Sequence, residues 1–440
     1  MTDNDTSKFM IHPGGNLTGR VRVPGDKSIS HRSIMLGSLA DGVTEITGFL
    51  EGEDSLATLA SFRSMGVAIE GPDRGRISIQ GVGLRGLTAP REALYLGNSG
   101  TSMRLMTGLL AGQDFDSVLT GDASLSGRPM KRVVEPLTRM GARISMTAAG
   151  TAPLAISGGM RLQGIDYDMP VASAQVKSCL LLAGLYASGR TCVTEPAPTR
   201  DHTERMLAGM GYPLQRESGR VCLEGGHALQ GISVDIPADI SSTAFFLVGA
   251  SIAPGSDLVL EHVGMNPTRT GVVDILMRMG ADIRIDNQRE AGGEPVADLH
   301  VKSAPLHGID IPLELVPLAI DEFPVLFVAA SCASGRTVLT GAEELRVKES
   351  DRIQVMADGL ATLGINATAT PDGMIIEGGA CGGGVIDSHG DHRIAMAFAM
   401  AALRAKGSIE ILDCDNVNTS FPGFVELAAG AGLHIAQQRG

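Results

Sequence analysis

Six times along the chain a segment with helical apolar spacing ends in glycine and passes into a short strand-like run. The copies are SFRSMGVAIE, LTRMGARISM, MLAGMGYPLQ, LMRMGADIRI, LATLGINATA and LAAGAGLHIA. Their closing glycines are Gly66, Gly141, Gly211, Gly280, Gly364 and Gly432, spaced 68 to 84 residues apart. Glycine suits this position because the residue just after a helix commonly turns left-handed, where a Cβ would clash. Upstream of each copy the pattern predicts a second, more apolar helix. These begin near Lys27, Gly100, Ala174, Ser241, Asp321 and Asp391 and run to a Gly turn and a strand, as in AQVKSCLLLAGLYASGRTCVTEP. Helix followed by glycine and strand occurs in any α/β protein, but near-regular spacing across six copies sets chance aside. The pattern therefore predicts a mixed α/β fold of six similar units. The GGACGGG stretch at 378–384 reads as a flexible hairpin.

The upstream helices are polar only where they start. The starts read GDKSISHR (25–32), GNSGTSMR (97–104), ASAQVK (172–177), ADISST (238–243), IDEF (320–323) and GDHR (390–393). A helix apolar along its length is buried, so its start is the part that can meet a ligand. A helix start offers unpaired N–H groups and partial positive charge, which favour an anion. Ordinary capping accounts for Ser28, Ser173, Asp321 or Asp391 taken singly. It does not account for Lys27, Arg32, Arg104, Lys177 and Arg393, because a cation there opposes the helix dipole. An anion lying among them would resolve the conflict. Arg128, Arg200, Arg269, Arg346, Lys348 and Arg352 add basic side chains in loops. Solvation at the surface suffices for Arg346 and Arg269, less so for Arg128 between Gly and Pro. Arg suits carboxylate and phosphate because its planar fork binds two oxygens.

Composition narrows the partner. The chain has 440 residues, 43% hydrophobic and 19% charged, which indicates a globular protein of two or more domains. A net charge of −13, with aromatics at 3% and no Trp, argues against nucleic acid. The N-terminus lacks the basic and apolar regions of a secretory signal, and no apolar run is long enough to span a bilayer. Six cysteines, at 179, 192, 222, 332, 381 and 414, form no CxxC pair. Neither zinc nor redox chemistry is indicated, and the thiols are expected to be free, in a reducing, cytoplasmic compartment. GVGLRG at 81–86 fits GxGxxG, but no helix opens after it, so it is no dinucleotide site. A phosphate-binding P-loop and a GxSxG elbow are absent. His389, Asp391 and His392 lack a further metal ligand and read better as a helix cap with an anion contact.

Taken together, GDKSISHR, LGNSGTSMR, SAQVK, IDEFP, ELRVKESDR and GDHRIAMAF, with SFP at 420–422, resemble the signatures of the 5-enolpyruvylshikimate-3-phosphate synthase family. GDKS, SAQVK, RDHTE and NPTR are similar to its bacterial class II branch. The resemblance implies a two-domain inside-out α/β barrel of six βαβαββ-type repeats, three per domain. The domains would comprise 25–238, and 1–24 plus 239–440, with the active site in the cleft between them. It also implies a monomer without metal or organic cofactor. The implied reaction joins shikimate 3-phosphate and phosphoenolpyruvate through a tetrahedral intermediate that loses phosphate. By the family pattern, Lys27, Ser28, Arg32, Ser173, Ala174, Gln175, Asp321 and Lys348 would hold shikimate 3-phosphate. Lys27, Gly100, Arg128, Gln175, Arg352 and Arg393, with the Asn98–Thr101 turn, would hold phosphoenolpyruvate. Asp321 would take the hydroxyl proton, and Glu349 with Lys27 would handle protonation at C3. The plain alternatives are a helix cap for Asp321 and a surface ion pair for Glu349.

Two positions depart from relatives in the resemblance. The family's other branch has Lys before its TFP motif, where this chain has Thr419. Glyphosate-insensitive class II members carry Ala where this chain has Gly100, so Gly100 is expected to leave room for glyphosate. The sister enzyme acting on UDP-N-acetylglucosamine carries a Cys in the loop that here reads GDASLSGRPM, and that loop has none. A non-catalytic anion-binding protein on this scaffold would not need Asp321, Glu349 and Lys27 together.

Overall fold

A computed structural model of the chain describes residues 6–439. The chain forms two compact units. The first comprises residues 6–24, Pro237–Glu290 and 295–439, the second Gly25–Ile236 together with Ala291–Glu294. Each unit has its own hydrophobic core.

Sheets in both units follow one scheme. An outer strand runs parallel to its neighbour, and the next two strands run antiparallel. In the second unit the orders are Ser233–Asp235, Val43–Thr47, Arg76–Gln80, Ala68–Asp73; then Leu94–Tyr95, Ser117–Thr120, Leu154–Ile156, Ile144–Ser145; then Asp166–Asp168, Arg190–Thr194, Arg220–Glu224, Leu214–Glu217. In the first unit they are Thr18–Val21, Asp257–Gly264, Glu294–Lys302, Asp282–Ala291; then Gly384–Asp387, Ile409–Leu412, Ser7–Gly15, Leu433–Arg439. A three-stranded sheet, Arg336–Leu339, Gly373–Glu377, Asn366–Thr370, has a parallel bridge from Asp310 to Val338 where the outer strand would lie, and Ala40–Asp41 and Leu229–Gln230 form a separate two-stranded parallel sheet. Both units borrow a strand from a distant part of the chain. Ser233–Asp235 completes the sheet of Val43–Thr47, with Val234 opposite Ile46. Ser7–Gly15 sits between two C-terminal strands, with Phe9 opposite both Ile411 and Gln437.

Each unit buries three apolar helices inside its sheets. In the first these are Ile240–Ile252, Phe323–Cys332 and His392–Ala401, which pack on one another. Every residue of Ile240–Ile252 is buried, as a helix apolar on all sides requires. In the second they are Lys27–Leu39, Gly100–Ala111 and Ala174–Gly184. Gly108 lets the last two approach closely, because a Cβ there would lie 2.1 Å from the Cys179 carbonyl oxygen. The other helix of each repeat is amphipathic. Lys131–Arg139 buries Val133, Val134 and Leu137 and exposes Lys131 and Glu135. All six closing glycines take left-handed φ values, from +80° to +121°. The family of mixed sheets and buried helices expected from the repeat is thus present in the structure.

The helices predicted near Asp321 and Asp391 begin at Phe323 and His392, with Pro324 in the first turn of the former, where its missing N–H costs nothing. The structure corrects two details. GGACGGG is not a hairpin. It carries the chain from strand Gly373–Glu377 of one sheet to Gly384–Asp387 of another. Its glycines permit close backbone approach: a Cβ on Gly378 would lie 1.7 Å from the Ala333 carbonyl oxygen. Finally, Cys192 and Cys222 form a disulfide, whereas Cys179, Cys332, Cys381 and Cys414 are free. Cys192 and Cys222 lie directly opposite on antiparallel strands 30 residues apart in sequence, a relation no local spacing reveals. Among the described residues, no helix is long and apolar enough to cross a membrane, and no cluster of His, Cys, Asp or Glu could hold a metal ion.

Candidate active site

In the second unit the polar helix starts lie at one end of its buried helices. Asp26, not Ser28, caps Lys27–Leu39, its carboxylate accepting from the Ile29 amide at 2.9 Å. The Ser28 hydroxyl is therefore not the cap. Lys27 Nζ is 2.5 Å from Asp54 Oδ2. Arg32 is 3% exposed and donates to the Ser28 carbonyl, Thr203 Oγ1 and Ser178 Oγ at 2.9, 2.7 and 2.9 Å. All three acceptors are neutral. Burial lowers the Arg32 pKa to about 10, against the attraction of Glu204. Such a cation is poised to receive an anion.

Ser173 caps Ala174–Gly184, accepting from the Val176 amide at 3.3 Å, so Ala174 opens that helix. Gln175 accepts from Arg104 Nη1 at 2.5 Å and donates to Thr101 Oγ1 at 3.0 Å. Arg128 donates to Asn98 Oδ1 at 2.5 Å, and Asn98 donates to Asp122 at 2.6 Å. Gly100 lies against both guanidinium groups: a Cβ there would be 3.0 Å from Arg104 Nη1 and 3.2 Å from Arg128 Nη1. Gly100, Thr101, Arg104, Arg128 and Gln175 are thus one cluster. Lys177 differs from expectation. It is 2% exposed, and Glu204 and Glu195 neutralise it at 2.8 and 2.9 Å, so protein carboxylates supply its anion.

The first unit gathers the remaining residues. Asp321 does not cap the Phe323–Cys332 helix; Glu322 holds the cap position, without a side-chain cap bond. Asp321 Oδ1 instead lies 3.3 Å from Lys348 Nζ and 3.4 Å from Arg352 Nη1. Arg352 is 1% exposed and also meets Glu349 Oε2 at 2.6 Å and Asp391 Oδ2 at 2.9 Å. Burial opposes its charge, but Asp391, then Glu349 and Asp321, outweigh burial and raise its pKa above the ordinary value. Burial likewise pushes Asp391 up, and Arg352 holds it below the usual carboxylate range. Asp391 caps His392–Ala401, accepting from the Arg393 amide at 3.0 Å, and receives Ser350 Oγ at 3.0 Å. Arg393 Nη1 donates to the Asp321 carbonyl at 2.8 Å. Glu349 does form an ion pair with a neighbouring Arg, as the plain alternative held, yet that Arg is buried. Arg269, which solvation at the surface would explain, is also buried and donates to Asp239 and Ser241.

Comparison with known proteins decides the family. The family model described as EPSP synthase (3-phosphoshikimate 1-carboxyvinyltransferase) matches residues 11–427. The chain belongs to the EPSP synthase family. A 3-phosphoshikimate 1-carboxyvinyltransferase of Alkalilimnicola ehrlichii is 71% identical over 431 residues, covering 98% of this chain and 97% of that protein. One from Methylococcus capsulatus is 69% identical over 435 residues, covering 99% of each. A solved EPSP synthase from Acinetobacter baumannii matches with a TM-score of 0.90 and 60% identity, covering 99% of this chain and 100% of that one. The enolpyruvyl transferase NikO from Streptomyces tendae matches with a TM-score of 0.78 at 16% identity, a likeness of fold alone.

Within this EPSP synthase fold, three neighbours of the site escaped the sequence reading. Asp54 holds Lys27, but nothing in EGEDS marks it out. His31 is fully buried, with Nδ1 2.9 Å from Thr58 Oγ1 and 3.1 Å from Ser102 Oγ. Burial, then Lys27 and Arg32, lower its pKa well below 6.5, so the ring is neutral. The third is Glu322, adjacent to Asp321 and 2% exposed. Thr419 lies in a turn at Asp415–Thr419 and donates to the Asn416 carbonyl at 2.7 Å. A threonine so engaged offers no base where the other branch has Lys.

Proposed function

We propose that this chain transfers the enolpyruvyl group of phosphoenolpyruvate to the 5-hydroxyl of shikimate 3-phosphate and releases phosphate. Family membership over nearly the whole length supports the reaction. The observation that carries the substrate class is Arg32, a buried guanidinium whose three acceptors are neutral oxygens. A phosphate would supply the missing negative charge. In this reading Lys27, Ser28, Arg32, Ser173, Ala174, Gln175 and Lys348 serve shikimate 3-phosphate. Gly100, Arg128, Arg352 and Arg393 serve phosphoenolpyruvate, with Lys27 and Gln175 serving both.

Asp321 accepts the 5-hydroxyl proton as that oxygen bonds to C2 of phosphoenolpyruvate. C3 takes a proton from Glu349 or Lys27 and becomes a methyl group. The C2–O bond to phosphate then breaks, and C3 returns a proton to the same base as the double bond re-forms. Arg352 orients Glu349 beside it at 2.6 Å.

The test is phosphate release by the purified protein given both substrates without added metal. Release should require both substrates and fall at least about a hundredfold in Asp321→Ala, the usual scale of a lost general base. Folded protein that releases no phosphate from this pair would overturn the reading.

A further inference from the structure

From Arg393 a buried polar chain runs through Glu322 and Ser241 to Arg269, three residues to which the proposed reaction gives no role. Glu322 is 2% exposed. Its Oε1 accepts from Ser241 Oγ and lies 3.6 Å from Arg393 Nη1. Arg393 Nη1 also donates to the Asp321 carbonyl at 2.8 Å. Ser241 in turn accepts from Arg269 Nη2 at 2.7 Å, and the same nitrogen meets Asp239 Oδ1 at 3.1 Å. Asp239 caps Ile240–Ile252, accepting from the Ser241 amide at 2.8 Å. The order is therefore Arg269, Ser241, Glu322, Arg393, linking the starts of all three buried helices in this unit.

Such a chain is a poor way to gain stability. Two charged groups removed from water commonly cost as much as their attraction returns, and apolar residues of similar volume do as well. Its geometric effect is more specific. Glu322 and the Asp321 carbonyl both engage Nη1 of the Arg393 guanidinium. A guanidinium carries five donors in a fixed plane, so fixing one nitrogen sets the direction of the others.

We propose that Glu322 is a positioning residue that aims Arg393 at the anionic end of phosphoenolpyruvate, with Ser241 and Arg269 fixing Glu322. This rests on the reading above that Arg393 binds phosphoenolpyruvate. Glu322→Gln keeps the size of the side chain and its ability to accept from Ser241, and removes its charge from Arg393. The KM for phosphoenolpyruvate should rise about tenfold, the scale of one charge-assisted contact. The KM for shikimate 3-phosphate should stay within about twofold, and the melting temperature should hold. Ser241→Ala, which keeps every charge, should shift the same KM in the same direction by less. Arg393→Lys serves as the reference. If it raises the KM for phosphoenolpyruvate while Glu322→Gln does not, the inference fails and the site reading stands. If Arg393→Lys also leaves that KM unchanged, the assignment of Arg393 itself fails. Equal changes in both KM values, with a lower melting temperature, would make Glu322 merely structural and overturn the proposal. Should Glu322→Gln not fold, an unchanged KM for phosphoenolpyruvate in Ser241→Ala would do so.

Discussion

Arg32 and Arg352 are both buried guanidinium groups, and their neighbours give them opposite electrostatics. Arg352 is surrounded by Asp321, Glu349 and Asp391, whereas Arg32 faces hydroxyls and a carbonyl. The sequence shows the basic residues but not which of them already has a carboxylate. Lys177 illustrates the same point, since Glu195 and Glu204 are distant in sequence yet neutralise it. His31, beside Lys27 and Arg32, makes stability depend on pH. Its folded pKa lies well below 6.5. As pH falls below about 6.5, an unfolded histidine takes a proton and folded His31 does not. The unfolded state then binds more protons, so the stability present at neutral pH is lost on acidification, by up to about 1.4 kcal/mol per pH unit. Urea midpoints between pH 7 and 5 should fall more steeply in the wild type than in His31→Gln; equal slopes would remove His31 as the cause. At Gly100, an added methyl would press on Arg104 and Arg128 at 3.0 and 3.2 Å. Both are ends of flexible side chains, so Gly100→Ala should fold. If glyphosate occupies the space beside Gly100, as the resemblance implies, Gly100→Ala should weaken its inhibition by roughly tenfold or more, the effect of one methyl in a tight site. Unchanged inhibition would contradict the steric account.

At the scale of elements, the closing glycines carry two different constraints. Gly364 has φ +80° with nothing within 4 Å of an added Cβ, so only its backbone conformation is at stake. Gly364→Ala should cost about 1–2 kcal/mol, the price of a left-handed L-residue. Gly432 has φ +121°, and a Cβ there would lie 2.1 Å from the Asn16 carbonyl oxygen. Backbone cannot yield as a side chain does, so Gly432→Ala should lower the denaturation midpoint more than Gly364→Ala. Equal midpoints would refute the distinction. The helices were legible because helical periodicity and the terminal Gly agree on where each ends. GGACGGG misled because glycine serves a flexible turn and a close backbone crossing equally well. Only the packing of Gly378 on Ala333 tells them apart.

At the scale of the molecule, sequence order and unit membership diverge. Ser7–Gly15 is an inner strand of the first unit, paired on both sides. A 237–440 fragment would leave Ile409–Leu412 and Leu433–Arg439 without their shared partner, and should fail to fold until a peptide of residues 1–24 is added. Gly25–Ile236 contains its own completing strand, Ser233–Asp235, and should unfold cooperatively by itself. It lacks Glu294, which meets buried His202 at 2.7 Å, so its stability should be reduced. Circular dichroism of the two fragments tests both statements; a folded 237–440 fragment without the peptide would sink the first. The sequence by itself determined the six repeats, the buried helices with polar starts, and the family, because periodicity, glycine and short motifs are local properties of the chain. Tertiary structure alone decided the opposition of Cys192 to Cys222, the grouping of Ala291–Glu294 with the second unit, and the burial of Arg269. It also decided which cations are neutralised. These depend on pairings between residues far apart in sequence, where charge and hydrogen bonding are settled by which surfaces pack together.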